Sequence, residues 1–292
     1  MKKSLIFAII GLAVFIPTLS ADSSSPWNFS VGTYMENEMN TDEADKDSDL
    51  FISPGVTFGI SHDEIPLYMK VEAENRQAGS YYREDTGQRL GHTVRQKLMF
   101  GGKFGLGGIA FNPEYELRIH TPAGIGYEGN SYENRFKLNF DFPVSEHNVY
   151  LNMMPTYRVN NGKDNTYYHE VETGFRYRFN GTQSFALGLY NELENFDNDG
   201  LYNEVQARLY YNHQFSNGIN FNPYARIGLY RQYYNGDENV VDTLRQRAGL
   251  KMSYSAENGV SPFTEVWYQN TNLKEDQNVN TVMWKVGVSY SF

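Results

Sequence analysis

From Trp27 to Phe292 the chain alternates apolar and polar residues with period two. The first segment sets Trp27, Phe29, Val31, Thr33 and Met35 against Asn28, Ser30, Gly32, Tyr34 and Glu36. The last sets Val282, Trp284, Val286, Val288, Tyr290 and Phe292 against Met283, Lys285, Gly287, Ser289 and Ser291. Twelve more such segments begin near Ile52, Leu67, Val94, Ile109, Tyr132, Val149, Tyr167, Phe185, Asn203, Ile219, Leu244 and Ser261. Period two places successive side chains on opposite faces of a strand, and no 3.6-residue period runs long enough to specify an amphipathic helix. Strands of roughly nine to twelve residues have the length a tilted strand needs to cross a bilayer.

The connections alternate as well. Short turns are expected at 61–66, 105–108, 144–148, 180–183, 216–218 and 256–259. Longer polar links are expected at 37–49, 76–92, 122–131, 232–242 and 270–280. Short turns at one rim and long loops at the other mark a membrane barrel, whereas a soluble sandwich mixes its link lengths and keeps strands near five or six residues. In hydrocarbon every backbone N–H and C=O must be satisfied within the protein, so a sheet there must close on itself. The expected fold is therefore all-β: a transmembrane antiparallel up-and-down β-barrel of about fourteen strands. Trp27, Phe142, Phe179, Tyr157, Tyr167 and Tyr268 fall near strand ends, where aromatic girdles meet the membrane interfaces.

Composition agrees. Twenty-three tyrosines and nineteen phenylalanines sit in a chain of mean hydropathy −0.58, too polar for a bundle of membrane helices. The absence of cysteine excludes thiolate zinc sites, iron–sulfur clusters, disulfides and cysteine nucleophiles. With 25 basic and 35 acidic residues the net charge is −10, which argues against nucleic acid as a partner. Lys2 and Lys3, the apolar run from Leu5 to Ile16 and small residues through Ala21 read as a signal peptide over residues 1–21, removed on export. Residues 22–292 then form one outer-membrane barrel domain, reached through the periplasm.

On this register the charged residues share the polar face. The segment from Leu67 contributes Lys70, Glu72 and Glu74, and the next contributes Arg95, Lys97 and Lys103. Then come Glu114, Glu116, Arg118 and His120, followed by Arg135, Lys137 and Asp141, and by Arg158. Further along stand Glu170, Glu172, Arg176 and Arg178, then Glu192 and Glu194, then Glu204 and Arg208. Arg226, then Arg245, Arg247 and Lys251, then Glu265 and Lys285 complete the set. Adjacent segments oppose acid with base, most clearly 67 with 94, 109 with 132, and 244 with 261. So many ionisable groups cannot sit in a dry core, since burying an unpaired charge costs several kcal/mol. The lumen should hold water. Fourteen strands tilted near 40° close to a backbone diameter of roughly 25 Å, leaving an opening of roughly 15 Å between side chains. These residues are therefore expected to line a pore, with small hydrophilic solutes passing through it and no cofactor. Their charges nearly balance, which implies weak ion selectivity. The acidic run Asp42, Glu43, Asp45, Asp47 and Asp49 reads as a solvated loop.

The final strand, ending in Tyr290-Ser291-Phe292, resembles the terminal signature of bacterial outer-membrane barrels, which implies that the assembly machinery reads Tyr290 and Phe292. Trp27-Asn28-Phe29-Ser30-Val31-Gly32 resembles the opening strand of the outer membrane porin G family of monomeric fourteen-stranded bacterial porins. Val171-Glu172-Thr173-Gly174 and Tyr177-Arg178-Phe179-Asn180 resemble that family's eighth strand and turn. Pro223-Tyr224-Ala225-Arg226-Ile227-Gly228-Leu229 resembles its eleventh strand, and Val286-Gly287-Val288-Ser289-Tyr290-Ser291-Phe292 its last. The resemblance implies a passive, weakly selective channel for ions and mono-, di- and trisaccharides, active as a monomer in the lipid bilayer and lipopolysaccharide of the outer membrane. One departure matters. In the family a histidine pair closes the pore at acid pH, but the corresponding positions here hold Thr243 and Leu273. The loop between Tyr230 and Thr243 is also shorter, so histidine gating is not expected.

Two other readings compete with this one. A barrel enzyme needs a Ser–His–acid or Asp–His set, and no serine falls in register beside His120, so the chain is read as no enzyme. A channel specific for acidic oligosaccharides would use the arginines as a ladder and Tyr190, Tyr210 and Tyr224 as stacking platforms. Neutralisation of those arginines by acidic neighbours is the favoured expectation.

Overall fold

A computed structural model describes residues 25–40, 51–78, 92–123, 130–160, 165–196, 200–235, 238–240, 244–272 and 278–292. Residues 1–21, expected to form a signal peptide, the acidic run at 42–49, and Thr243 and Leu273 lie outside these residues. The strands are β1 (Trp27–Asn40), β2 (Phe51–His62), β3 (Leu67–Ala78), β4 (His92–Gly102), β5 (Phe104–Leu106), β6 (Ile109–Ala123), β7 (Ser131–Val144) and β8 (His147–Asn160). They continue as β9 (Thr166–Arg178), β10 (Gln183–Phe196), β11 (Gly200–Gln214), β12 (Ile219–Asn235), β13 (Glu238–Val240), β14 (Arg245–Tyr254), β15 (Val260–Asn272) and β16 (Asn278–Ser291).

Fourteen of these form one closed antiparallel ring. Each long strand pairs with its neighbours in sequence, and β1 returns to β16 from Ser30↔Ser291 to Asn40↔Thr281. Backbone bonds between Phe29 and Phe292, 2.9 and 3.0 Å, seal that seam. The two short strands are appendages: β5 extends the line of β4 past Lys103 and pairs with β6, and β13 folds back on the end of β12. Among the described residues the fourteen long strands thus close on themselves and leave no unpaired strand in the ring.

The short turns fall where the sequence places them, at one rim. Gly218 and Gly259 adopt φ of 86° and 83°, left-handed values that glycine reaches without steric cost. Ser145, between β7 and β8, takes φ 57°. The opposite rim differs from expectation: most strands run longer than nine to twelve residues, up to 17 in β12. Pairing there continues beyond the length a bilayer needs.

The packing is inside out relative to a soluble protein. Outward side chains such as Leu187 (52% exposed), Leu229 (53%) and Phe136 (50%) lie bare, while Glu116 and Glu204 on the other face are 2% and 0% exposed. A belt of this kind is stable only against lipid. Trp27, Phe179, Tyr157, Tyr167 and Tyr268 are outward and exposed at its margins. Phe111 of β6 stacks on Phe140 of β7 at 4.6 Å, joining neighbouring strands on this surface, and Tyr177 packs against Phe179 at 5.1 Å at the end of β9.

Among the described residues strict alternation breaks once. Between β11 and β12 the register shifts at Val205/Gln206, with Gln206 opposite Gly228 but Val205 opposite Tyr230. Leu229 is the extra residue of a β-bulge, so Leu229 and Tyr230 both face outward and Arg231 turns inward.

Candidate functional site: the inner wall

Inward tyrosines brace the wall across three strands at a time. Tyr34 of β1 lies over Gly55 of β2 and donates to Glu74 (2.7 Å) and Glu72 (3.0 Å) of β3. Tyr68 of β3 lies over Gly101 of β4 and donates to Glu114 of β6 at 2.6 Å. Tyr224 of β12 lies over Gly249 of β14 and donates to Glu265 of β15 at 2.8 Å. Each glycine is the direct cross-strand partner of its tyrosine. Any Cβ there would collide with the ring, so glycine makes room for an aromatic to lie flat along the concave surface. Tyr150 covers Gly174 and Gly188 in the same way and donates to Glu172 at 2.9 Å.

Between β3 and β9 the charges form a paired lattice. Glu74 meets Arg95 at 2.6 Å and Glu72 meets Lys97 at 2.5 Å. Lys137 bridges Glu114 (2.5 Å) and Glu116 (2.6 Å), and Glu116 also meets Arg118 (2.6 Å) and Arg135 (3.5 Å). Arg135 reaches over a strand to Glu170 at 3.2 Å. Arg158 joins Glu133 (3.0 Å) and Glu194 (3.1 Å), and Arg176 joins Asp141 (3.1 Å). The expected pairing of neighbouring segments therefore holds, including Lys251 with Glu265 at 3.5 Å.

The sector from β9 to β14 is organised differently, with like charges in rows. Glu170, Glu192 and Glu204 are direct cross-strand partners on β9, β10 and β11. Arg208, Arg226 and Arg247 are direct partners on β11, β12 and β14. Arg245 pairs with Glu204, and Arg208 donates to Glu172 at 2.9 Å. Arg178, Arg226 and Arg247 have no carboxylate partner among the described residues, Arg247 donating to Gln269 instead. The favoured expectation of neutralised arginines is thus met in most of the wall and fails at these positions.

Two recesses open on this sector. One of about 220 Å³ lies between the acidic and basic rows. The other, about 640 Å³, is bounded by Tyr150, Glu172, Arg176, Arg178, Tyr210, Tyr224, Arg226 and Lys251, with the 180–183 turn at its edge.

The strand registers put the twenty residues expected to line a pore on the same face as Glu116 and Glu204, opposite the lipid-facing series. The sequence reading missed Glu133, 4% exposed and hub to Arg118 (3.5 Å), Arg158 and His120 (3.4 Å). It also missed Arg231, brought inward by the bulge, where it donates to the Tyr202 hydroxyl at 3.2 Å. Trp267 and Met283 join Tyr224 in a small apolar cluster on the wall. Of the terminal residues, Tyr290 is outward and stacked on Phe292 at 5.6 Å, which stacks in turn on Phe29 at 5.8 Å.

Comparison with known proteins is consistent with this architecture. The solved CymD monoaromatic hydrocarbon channel is similar in fold, with TM-score 0.59 at 6% identity over 92% of this chain and 89% of that one. The toluene transporter TodX of Pseudomonas putida gives 0.50 at 8% identity, covering 92% of each chain. Outer membrane porin G of Escherichia coli (strain K12) is 24% identical over 308 residues, spanning 100% of both chains. The family model described as Outer membrane protein G (OmpG) matches residues 24–292. A closed barrel with a lipid-facing belt and a charged inner wall, matched over its length by that family, makes this chain a bacterial outer-membrane porin of the outer membrane protein G family.

Proposed function

We propose that the protein is a passive, weakly selective channel for ions and small sugars, and not an enzyme. The carrying observation is the inner wall itself: a fourteen-strand closure lined by charged and tyrosine side chains on every sector. Such a surface is stable only when wet, and a wet lumen of this strand number is wide enough to conduct. Near-balance of acid and base over most of the circumference supports weak selectivity. Membership of a porin family supports passage of small solutes, a monomeric channel, and insertion beside lipopolysaccharide by the outer-membrane assembly machinery reading Tyr290 and Phe292. Residues 1–21 are proposed to direct export.

Refolded protein in a planar bilayer tests this reading. Single, equal conductance steps per insertion, with a reversal potential near zero in a salt gradient, are expected. Triplet steps would overturn the monomer, and an absence of steps from inserted protein would overturn the channel.

A further inference from the structure

We propose that Arg226, flanked by Arg208 and Arg247, forms a subsite that takes the carboxylate of an acidic saccharide. The inference deepens the channel reading and rests on it. Three arginines are direct cross-strand partners on adjacent strands, an arrangement that like-charge repulsion disfavours. The outer two are restrained by the protein. Arg208 donates to Glu172 (2.9 Å) and Gln206 (3.1 Å) and lies 3.3 Å from the centroid of the Tyr190 ring. Arg247 donates to Gln269 at 2.6 and 3.0 Å and lies 3.9 Å over Trp267. Arg226 stands between them with its Nε buried and unbonded, and its guanidinium carbon lies 5.6 Å from the centroid of the Tyr224 ring. An anion placed here would relieve the repulsion and occupy the open donors, and the planar fork of arginine matches a carboxylate two bonds at a time.

The space beside Arg226 suits a sugar. The 640 Å³ recess that it shares with Arg178 and Lys251 falls in the range of small-molecule sites. Tyr210 and the buried Tyr224, direct cross-strand partners, both border the recess, and the half-buried Tyr210 offers a ring edge that a pyranose can meet. Glu172, the carboxylate on its wall, already accepts from Tyr150 (2.9 Å), Tyr210 (3.2 Å) and Arg208 (2.9 Å), so it does not neutralise Arg226. The 180–183 turn at its edge puts the recess toward the short-turn rim, which faces the periplasm in barrels of this kind.

The test compares digalacturonate with maltose as blockers of single-channel current. Steady current in potassium chloride alone checks the channel reading, independently of the subsite. Digalacturonate is expected to block at a concentration at least tenfold below maltose, and Arg226→Gln to raise its blocking concentration about tenfold, with Arg226→Lys between the two. Equal block by both sugars, or block unmoved by Arg226→Gln, would overturn the subsite. If Arg226→Gln does not fold, Arg178→Gln tests the same recess with the same expected direction. If the protein inserts without conducting, the channel reading fails, and calorimetric titration of digalacturonate into detergent-solubilised protein decides the subsite alone.

Discussion

Replacing Gly55 by alanine should destabilise the barrel only while Tyr34 keeps its ring. An alanine Cβ at this position would sit within the ring's van der Waals surface and 2.6 Å from its Oη. The ring must then swing away, losing its bonds to Glu74 (2.7 Å) and Glu72 (3.0 Å) and its place beneath the Lys285 ammonium at 3.7 Å. Overpacking costs about 1–3 kcal/mol, and a lost hydrogen bond to a charged acceptor about 1.5–3 kcal/mol. The two overlap, so Gly55→Ala should cost about 3 kcal/mol. In a Tyr34→Ala background the collision is gone, and alanine should gain about 0.5–1 kcal/mol over glycine from reduced chain entropy. Urea titration of protein folded into lipid vesicles, read by tryptophan fluorescence and by heat-modifiable gel mobility, gives all four corners of the cycle. A coupling energy of about 3.5–4 kcal/mol and a change of sign are expected. Equal effects of Gly55→Ala in both backgrounds would refute the brace.

Other consequences are as direct. Glu116 is 2% exposed among Arg118, Arg135 and Lys137, which keep Glu133, Glu170 and Glu114 as second partners, so Glu116→Gln should cost about 1–3 kcal/mol in the same unfolding assay. Leu187→Arg, on the lipid belt, should cost about 2–4 kcal/mol in vesicles, and a cost within error of zero would place that residue outside the hydrocarbon. Of the histidines whose side chains are described, His120 alone faces inward, and it sits beside Glu133 rather than another histidine. Conductance should therefore change little between pH 7.5 and 5.5 on single-channel recording, and stepwise closure over that range would contradict the expectation.

The strands were legible because one side of each faces lipid and the other water, a contrast that writes period two directly into the sequence. Their number and closure followed from the short and long links together with the hydrogen-bond requirement of hydrocarbon. The bulge was harder to see: Leu229 and Tyr230 are adjacent outward residues, but tyrosine serves either face, so the slip leaves no mark in apolar pattern alone. The same ambivalence hid the braces, since Tyr34 and Tyr68 read as ordinary polar positions until Gly55 and Gly101 are seen opposite them. Pairs between nearest strands were predictable from charge order. Those that skip a strand, such as Arg135 with Glu170 and Arg208 with Glu172, depend on the curvature of the wall, which brings the inner tips of second-neighbour side chains together. The arginine row needed the exact register of β11, β12 and β14, which single-sequence alternation leaves open.

Because the chain has no native cysteine, a single introduced thiol reports one position without background. Cysteines placed in turn at Phe136, Lys137, Leu138 and Asn139 of β7, in protein inserted in a planar bilayer, would be exposed to a charged, membrane-impermeant thiol reagent. Modification at 137 and 139 with a stepwise loss of current, and none at 136 and 138, is the predicted result. Uniform reactivity along the four positions, or modification at 137 that leaves the current untouched, would contradict a closed wall with lipid outside and a conducting aqueous lumen within.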